Sequence, residues 1–202
     1  KYQKSIKESD TCNYIDISTS LNDKVNTKSY IKIDKQIEIN NKNLTLSIAY
    51  GMEDYKIIPI KNSMLSVFFP TKVPIYYNFL LQAPYKTTPN RENIPFEDEE
   101  NKTITAELSK LVSESFLILK KEKLLTIDFL ESMQFDAIYY HSQLFMSVYE
   151  EVKKSFLLNE LLPTSCKNFA KSTDIILVEN NDLLEFLKNE DILKITNKPY
   201  VF

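Results

Sequence analysis

The sequence predicts an α+β fold, and three observations support that prediction. Short segments of alternating or continuous apolar residues, the pattern of β-strands, fill residues 29–81. Apolar residues at helical spacing fill much of residues 98–188. Hydrophobic residues make up 43% of the 202 residues and charged residues 26%, which is enough apolar surface for a core. Strand patterns followed by helical patterns are typical of a sheet covered by helices.

A β-hairpin is predicted where the first clear alternation begins. Apolar side chains alternate in part with polar ones in residues 30–39 and cleanly in residues 44–50. Between them, Asn40-Asn41-Lys42-Asn43 predicts a turn, because asparagine tolerates the left-handed backbone region. A second turn is predicted from Gly51 to Asp54, followed by a third strand that ends before Pro59.

Two buried strands and a long helix are predicted in residues 64–121. Leu65–Phe69 and Tyr76–Leu81 are almost continuously apolar, so we expect central strands with a turn between Pro70 and Pro74. A helix should begin at Asp98 and end near Lys121, with acidic residues at its start and lysines at its end, as the helix dipole favours. The acidic run is explained as a helix start, and a metal site there is the weaker alternative.

The aromatic residues of these strands are predicted to pack in the core. The alternative is a platform for stacking nucleic-acid bases, but the net charge of −3 argues against a basic face. The residues concerned are Phe68, Phe69, Tyr76, Tyr77 and Phe79.

The remaining residues predict a domain plan. Residues 1–28 are polar, so we expect a linker or N-terminal arm there. Residues 29–202 are predicted to form one domain with a C-terminal helical appendage. Its later elements are a short helix capped by Thr126, a helix at 142–159, strands at 161–163 and 175–178, a helix at 182–188 and a tail at 192–202.

Composition excludes several classes of protein. The weak net negative charge argues against nucleic-acid binding. No apolar run approaches the roughly 20 residues of a membrane helix, and no signal peptide is recognisable, so a cytoplasmic location is expected. Cys12 and Cys166 are then more simply free thiols than a disulfide. Gly51 is the only glycine, whereas phosphate-binding loops need several, so we expect this chain alone to hold no cofactor.

Arg91 is the candidate functional residue, because it is the only arginine among 25 basic residues. It lies in a loop between the second buried strand and the long helix, and Pro89 and Pro95 restrict the backbone on both sides. A guanidinium offers a planar fork of donors that suits phosphate better than a lysine does. The alternative is a local ion pair with Glu92 or Glu97.

The neighbours of Arg91 in the loop allow two roles each. Thr87, Thr88 and Asn90 could orient the loop or donate to a phosphate, or they could satisfy their own backbone. Lys86 could add positive charge to the site or be a solvated lysine. Together with Arg91 and Glu92, these residues form the predicted phosphate loop.

A family resemblance gives this loop a specific context. The strings LSVFFPT and YNFLLQAPYKTTPNREN, followed by a long amphipathic helix, resemble the segment after the ATP-binding domain in bacterial chaperone-like ATPases of the gyrase, heat-shock-chaperone and histidine-kinase superfamily. The segment is also similar to sacsin repeats and to the middle domain of ninety-kilodalton heat-shock chaperones. The resemblance covers about residues 29–187, and only residues 64–121 are specific.

The resemblance implies a transducer domain: a mixed sheet covered by helices, with a left-handed crossover. It implies that Arg91, flanked by Asn90 and Glu92, contacts the γ-phosphate of ATP held with Mg²⁺ by a preceding domain. That domain is absent from this sequence, which starts at Lys1 rather than methionine, so we expect part of a longer protein. This chain alone is then expected to be inactive, and the parent protein to be an ATPase.

Other functions are kept as alternatives. The main one is a non-catalytic protein-interaction module with a structural arginine. A free-standing enzyme is the weakest, because no carboxylate pair, metal-ligand spacing or nucleophile–base set stands out. The N-terminal ATP-binding domain is the expected partner, while a client protein and a homodimer are left open.

Overall fold

The computed structural model describes residues 2–22, 24–90, 92–133, 142–164, 167–177 and 186–201. Its main feature is a mixed sheet of eight strands, in the order β1-β2-β3-β4-β8-β6-β7, with β5 also paired to β4. The α+β prediction is therefore confirmed. The strands are β1 Tyr2–Glu8, β2 Asn13–Leu21, β3 Lys24–Ile39, β4 Lys42–Glu53, β5 Lys56–Ile58, β6 Met64–Val67, β7 Phe69–Pro74 and β8 Leu80–Gln82.

Helices and short strands complete the described structure. The longest helix, α1, lies against β3 and β4, α3 packs on α1, and α2 lies against β5. None of the helices in the described ranges is long and apolar enough to cross a membrane. The elements are α1 Glu99–Lys121, α2 Ile127–Leu130, α3 Met146–Leu158, β9 Leu162–Pro163, β10 Phe169–Ala170, β11 Ile176–Leu177, α4 Asn189–Thr196 and β12 Tyr200–Val201.

Both predicted turns of the hairpin region exist, at slightly different residues. Asn40 and Asn41 have φ of 51° and 60° and form a two-residue turn between β3 and β4, because Ile39 pairs with Lys42. The second turn is at Asp54 and Tyr55 rather than at residues 51–54.

Gly51 lies inside β4 rather than in a turn. A β-carbon at this position would lie 3.0 Å from the side chain of Ile60 and 3.1 Å from the carbonyl oxygen of Ile58. Gly51 therefore allows the chain after β5 to approach β4 closely.

The core lies between the sheet and the helices. Its centre is a group of buried aromatic rings, with centroids 5.1 Å apart for Tyr50 and Phe79, and 5.8 Å apart for Phe116 and Phe129. The hydroxyl groups of Tyr50 on β4 and Ser115 on α1 are 2.7 Å apart, so a hydrogen bond joins the sheet to the helix. Burial raises the pKa of Tyr50, so this buried hydroxyl stays neutral.

The first buried strand is shorter than predicted. The chain turns at Phe68, whose φ is 59°, so β6 ends at Val67 and β7 runs back beside it. Leu65 and Val67 are buried as expected, but Phe68 and Phe69 are 72% and 66% exposed, so the core prediction is wrong for these two rings. The predicted turn between the two prolines is also wrong, because residues 69–74 form β7.

The second buried strand is also shorter than predicted. Only Leu80–Gln82 pairs, between β4 and β6, while Tyr76 has a φ of 61° and interrupts an extended conformation. Tyr77 and Phe79 are buried, as expected for core rings. The strand β8 runs parallel to β6, and the two are connected through β7 without a helix. The left-handed crossover stays a prediction.

The N-terminal region is built of strands. The segment expected to be a linker or arm contains β1 and β2, which extend the sheet, and residues 24–28 of β3 pair only with β2. We call β1, β2 and residues 24–28 the β-arm. Its outer part is exposed, because no helix of the described structure covers it.

The C-terminal predictions are met in part. Helix α3 and strands β9 and β11 lie where expected, while α4 and β12 occupy the predicted tail. Thr126 precedes α2, but its side chain makes no capping hydrogen bond. Most of the predicted helix at 182–188, together with Cys166, lies outside the described residues.

Candidate functional site

The predicted phosphate loop lies where the sequence places it, between β8 and α1. Arg91 itself lies outside the described residues. Its chain neighbours Asn90 and Glu92 are exposed, whereas Tyr85 and Ile94 on either side of the loop are buried. The described structure therefore defines the loop residues on both sides of position 91.

Asn101 fixes both ends of this loop to the first turns of α1. Its side chain is fully buried. The Oδ1 atom accepts a hydrogen bond from the Lys86 amide at 2.9 Å, and Nδ2 donates to the carbonyl oxygens of Lys86 at 3.0 Å and Pro95 at 2.9 Å. Because buried amide groups are costly to leave unpaired, these bonds fix the points at which the loop leaves and rejoins the core.

The inner part of the loop is closed by its own hydrogen bonds. The Thr88 amide donates to the Asn93 carbonyl at 3.0 Å, and the Asn93 amide donates to Thr88 Oγ1 at 3.1 Å. Thr88 Oγ1 also donates to Asn90 Oδ1 at 2.7 Å. In the structure, Thr88 and Asn90 therefore use their side chains in hydrogen bonds within the loop. Thr87 is half-buried beside them.

Lys86 is paired with carboxylates of the helix start. Its ammonium lies 3.1 Å from Asp98 Oδ2 and 3.0 Å from Glu100 Oε2. Hydrogen bonds to Glu100 and then Asp98 raise the pKa of Lys86, and Lys86 lowers the pKa of Asp98. Lys86 therefore offsets part of the negative charge at the helix start.

Lysines also pair with both carboxylates that could bind Arg91 locally. Glu92 contacts the ammonium of Lys72 on β7 and accepts a hydrogen bond from Asn90 at 2.5 Å. Glu97 lies 3.6 Å from the ammonium of Lys102. The local ion pair considered for Arg91 would have to compete with these contacts.

Asp98 begins α1 as the sequence predicts. Its carboxylate accepts hydrogen bonds from the amides of Glu100 at 2.9 Å and Asn101 at 3.2 Å. The acidic run is thus a helix cap and first turn. In the part of the chain that the structure describes, no group of three histidine, cysteine or carboxylate residues is arranged to hold a metal.

Two surface depressions lie away from the loop. One, of about 800 Å³, is lined by residues of β1, β2, the β4–β5 turn and Glu122. The other, of about 260 Å³, lies beside β5 and α2. Neither is lined by a residue of the phosphate loop.

Sequence reasoning missed the three hydrogen bonds by which Asn101 holds both ends of the loop, which we call the clamp. Asn101 lies in the helix start, three residues after the capping Asp98, and no local pattern marks it. Its partners are up to 15 residues away along the chain, so only the fold brings them together.

Comparisons with known proteins give no match: no protein-family model, curated protein or solved structure is similar to this chain at a significant level. The resemblance described above is therefore neither supported nor contradicted by them. Any function has to be argued from the loop, its frame and its charges.

Proposed function

We propose that this chain is the transducer part of a chaperone-like ATPase. In this proposal a domain preceding Lys1 holds ATP and Mg²⁺, and the loop of residues 86–95 brings Arg91 to the γ-phosphate. The observation on which the proposal rests is the clamp by Asn101, which fixes both ends of an otherwise exposed loop. A loop held in this way can place one side chain at a fixed position outside the core.

The charges around the loop also support a phosphate contact. The two carboxylates that the sequence offers as local partners of Arg91, Glu92 and Glu97, already contact lysines. A guanidinium that is not taken up locally is suited to a bidentate contact with phosphate oxygens. An arginine that stabilises the charge developing on a transferred phosphate contributes about 10³–10⁵ in rate in nucleotide hydrolases.

The connection from the loop to α1 supplies a route for coupling. The helix begins four residues after Pro95, spans 23 residues and packs on both the sheet and α3. Asn101, the residue that holds the loop, is part of that helix. Movement of the loop toward a phosphate would therefore displace α1 and the elements packed on it.

A non-catalytic interaction module is the second candidate, and one observation favours it. Phe68 and Phe69 form an adjacent, exposed aromatic pair at the β6–β7 turn. Exposed aromatic pairs of this kind are typical anchors in protein interfaces. Lys72 of β7 contacts Glu92, so this surface lies next to the loop.

Two measurements separate these functions. Isothermal titration of this chain with ATP and Mg²⁺ should show no binding, since a sequence with Gly51 as its only glycine cannot build a glycine-rich phosphate-binding loop. Micromolar binding would contradict the proposal.

The second measurement uses the longer protein that contains this chain. Arg91→Ala and Arg91→Lys should both reduce ATP turnover, by about 10³-fold for the alanine, with an unchanged melting temperature. Lys110→Ala, which removes an exposed cation from α1, is the matched control and should leave turnover unchanged. If Arg91→Ala unfolds the protein or leaves turnover intact, the arginine is structural.

A further inference from the structure

The two outer edges of the eight-stranded sheet differ in chemistry. At one edge, β7 contains Pro70 and Pro74, which have no amide hydrogen, so this strand is a poor template for pairing. At the other edge, β1 runs from Tyr2 to Glu8 without proline. Within the described ranges, β1 pairs only with β2, so its outer edge exposes backbone donors and acceptors.

The hairpin turn shows which residues of β1 present these groups. The Ser9 amide donates to the Cys12 carbonyl at 2.9 Å, so the backbone groups of Ser9 point toward β2. Because these directions alternate along a strand, the backbone groups of Lys4, Ile6 and Glu8 point to the outer edge.

We propose that β1 is a self-docking edge that pairs antiparallel with β1 of a second copy of this chain, centred on Ile6. In this register Ile6 faces Ile6 of the second copy, and Lys4 faces Glu8 of the second copy on both sides. Lys4, Ile6 and Glu8 of each strand then form about six main-chain hydrogen bonds. The result is a two-fold symmetric pair with a continuous sheet.

Charge complementarity favours a second copy of β1 as the partner and an antiparallel direction of pairing. Lysine on an edge strand ordinarily discourages pairing. Here Lys4 and Glu8 lie at equal distances from Ile6, so antiparallel self-pairing brings opposite charges together. Parallel self-pairing would instead place Lys4 beside Lys4. Ile6 is 52% exposed in the single chain, and pairing would cover it with an identical side chain.

The test is a charge exchange measured by sedimentation velocity over a range of concentrations. Wild type should show a concentration-dependent dimer. Lys4→Glu and Glu8→Lys each place like charges opposite one another in both pairs, so each should raise the dimer dissociation constant about tenfold or more. An equimolar mixture of the two variants should restore dimerisation, because every pair then has opposite charges.

Two charge changes elsewhere on the sheet serve as controls for this test. Lys42→Glu and Glu38→Lys make the same changes of charge at exposed positions of the β3–β4 hairpin and should dimerise like wild type. Circular dichroism checks that every variant folds. A wild type that stays monomeric at high concentration, single variants that dimerise normally, or a mixture that does not recover would each overturn the proposal.

Discussion

Strand β3 passes through two regions of the molecule, one covered by helix α1 and one exposed to solvent. From Ser29 onward β3 also pairs with β4, and Ile31 in this part is fully buried, because α1 lies over this part of the sheet. In its first half, within the β-arm, Val25 is 68% exposed although it pairs with β2 in regular register. Regular strand pairing thus continues well beyond the core.

The difference shows where the free energy of folding resides. Net hydrogen-bond contributions are modest because the unfolded chain bonds to water, whereas burial of apolar surface stabilises the folded chain more strongly. The part of the sheet covered by α1 should therefore determine stability, and the phosphate loop leads directly into that helix. The outer part of the β-arm, around Val25, adds sheet but little buried surface, so we expect it to have little effect on whether the domain folds.

Substitutions within the same strand test this comparison most strongly. Ile31→Ala removes a fully buried side chain and should lower the free energy of unfolding by about 2–5 kcal/mol. Val25→Ala, in the β-arm, should change it by no more than about 0.5 kcal/mol. Urea denaturation measures both, and similar losses for the two variants would contradict the division into regions.

Removal of the loop clamp should have the next largest effect. Asn101→Ala leaves the Lys86 amide and the carbonyl oxygens of Lys86 and Pro95 without their side-chain partner, at a cost of about 2–3 kcal/mol. Hydrogen exchange at the Lys86 amide should become faster. Lys102→Ala, one position along the helix, is the control, and an unchanged exchange rate in Asn101→Ala would show that the loop is held by other contacts.

The charge at the helix start should give a smaller, pH-dependent effect. Lys86 and the helix amides lower the pKa of Asp98 in the folded protein, so its stabilisation is complete above the ordinary carboxyl value near pH 4. That stabilisation is lost as pH falls through the lowered pKa. Asp98→Asn should therefore lower the melting temperature at pH 7, and the difference from wild type should shrink below about pH 4. A difference that grows in acid would contradict the stabilising role assigned to the Asp98 carboxylate.

The smallest predicted effect concerns the connection of the β-arm to the core. The Tyr14 hydroxyl donates to Glu122 Oε2 at 3.0 Å, and burial, then this carboxylate, raises the pKa of Tyr14 to about 12. Tyr14→Phe should cost about 1 kcal/mol or less. In an ultraviolet titration it should remove a late-ionising tyrosine, and an unchanged titration curve would contradict the raised pKa of Tyr14.

Local sequence signals predicted much of the fold. The Asn40-Asn41 turn, the start of α1 at Asp98 and the helix α3 follow from conformational preference, capping and apolar spacing. The reversal at Phe68 was missed because a positive φ is unusual for phenylalanine. The β-arm strands are rich in polar residues, and their pairing partners rather than their own pattern define them.

The candidate site was predicted less completely than the fold. The sequence places the loop correctly between a strand and a helix and supplies Arg91 as its distinctive residue. It could not show that Lys86 pairs with Asp98 and Glu100, or that Asn101 holds the loop, because the contacts made by Lys86 join residues 12 to 15 positions apart. The role of Arg91 stays a prediction.

Chemical rescue tests that role most directly. In the longer protein that contains this chain, Arg91→Ala should lose ATP turnover, and guanidinium ion at low millimolar concentration should restore part of it by occupying the position of the missing fork. Methylammonium, which carries the charge without the fork, should restore less, and neither ion should stimulate wild type. Unchanged turnover in Arg91→Ala, or no recovery with guanidinium, would contradict the contact between Arg91 and the γ-phosphate.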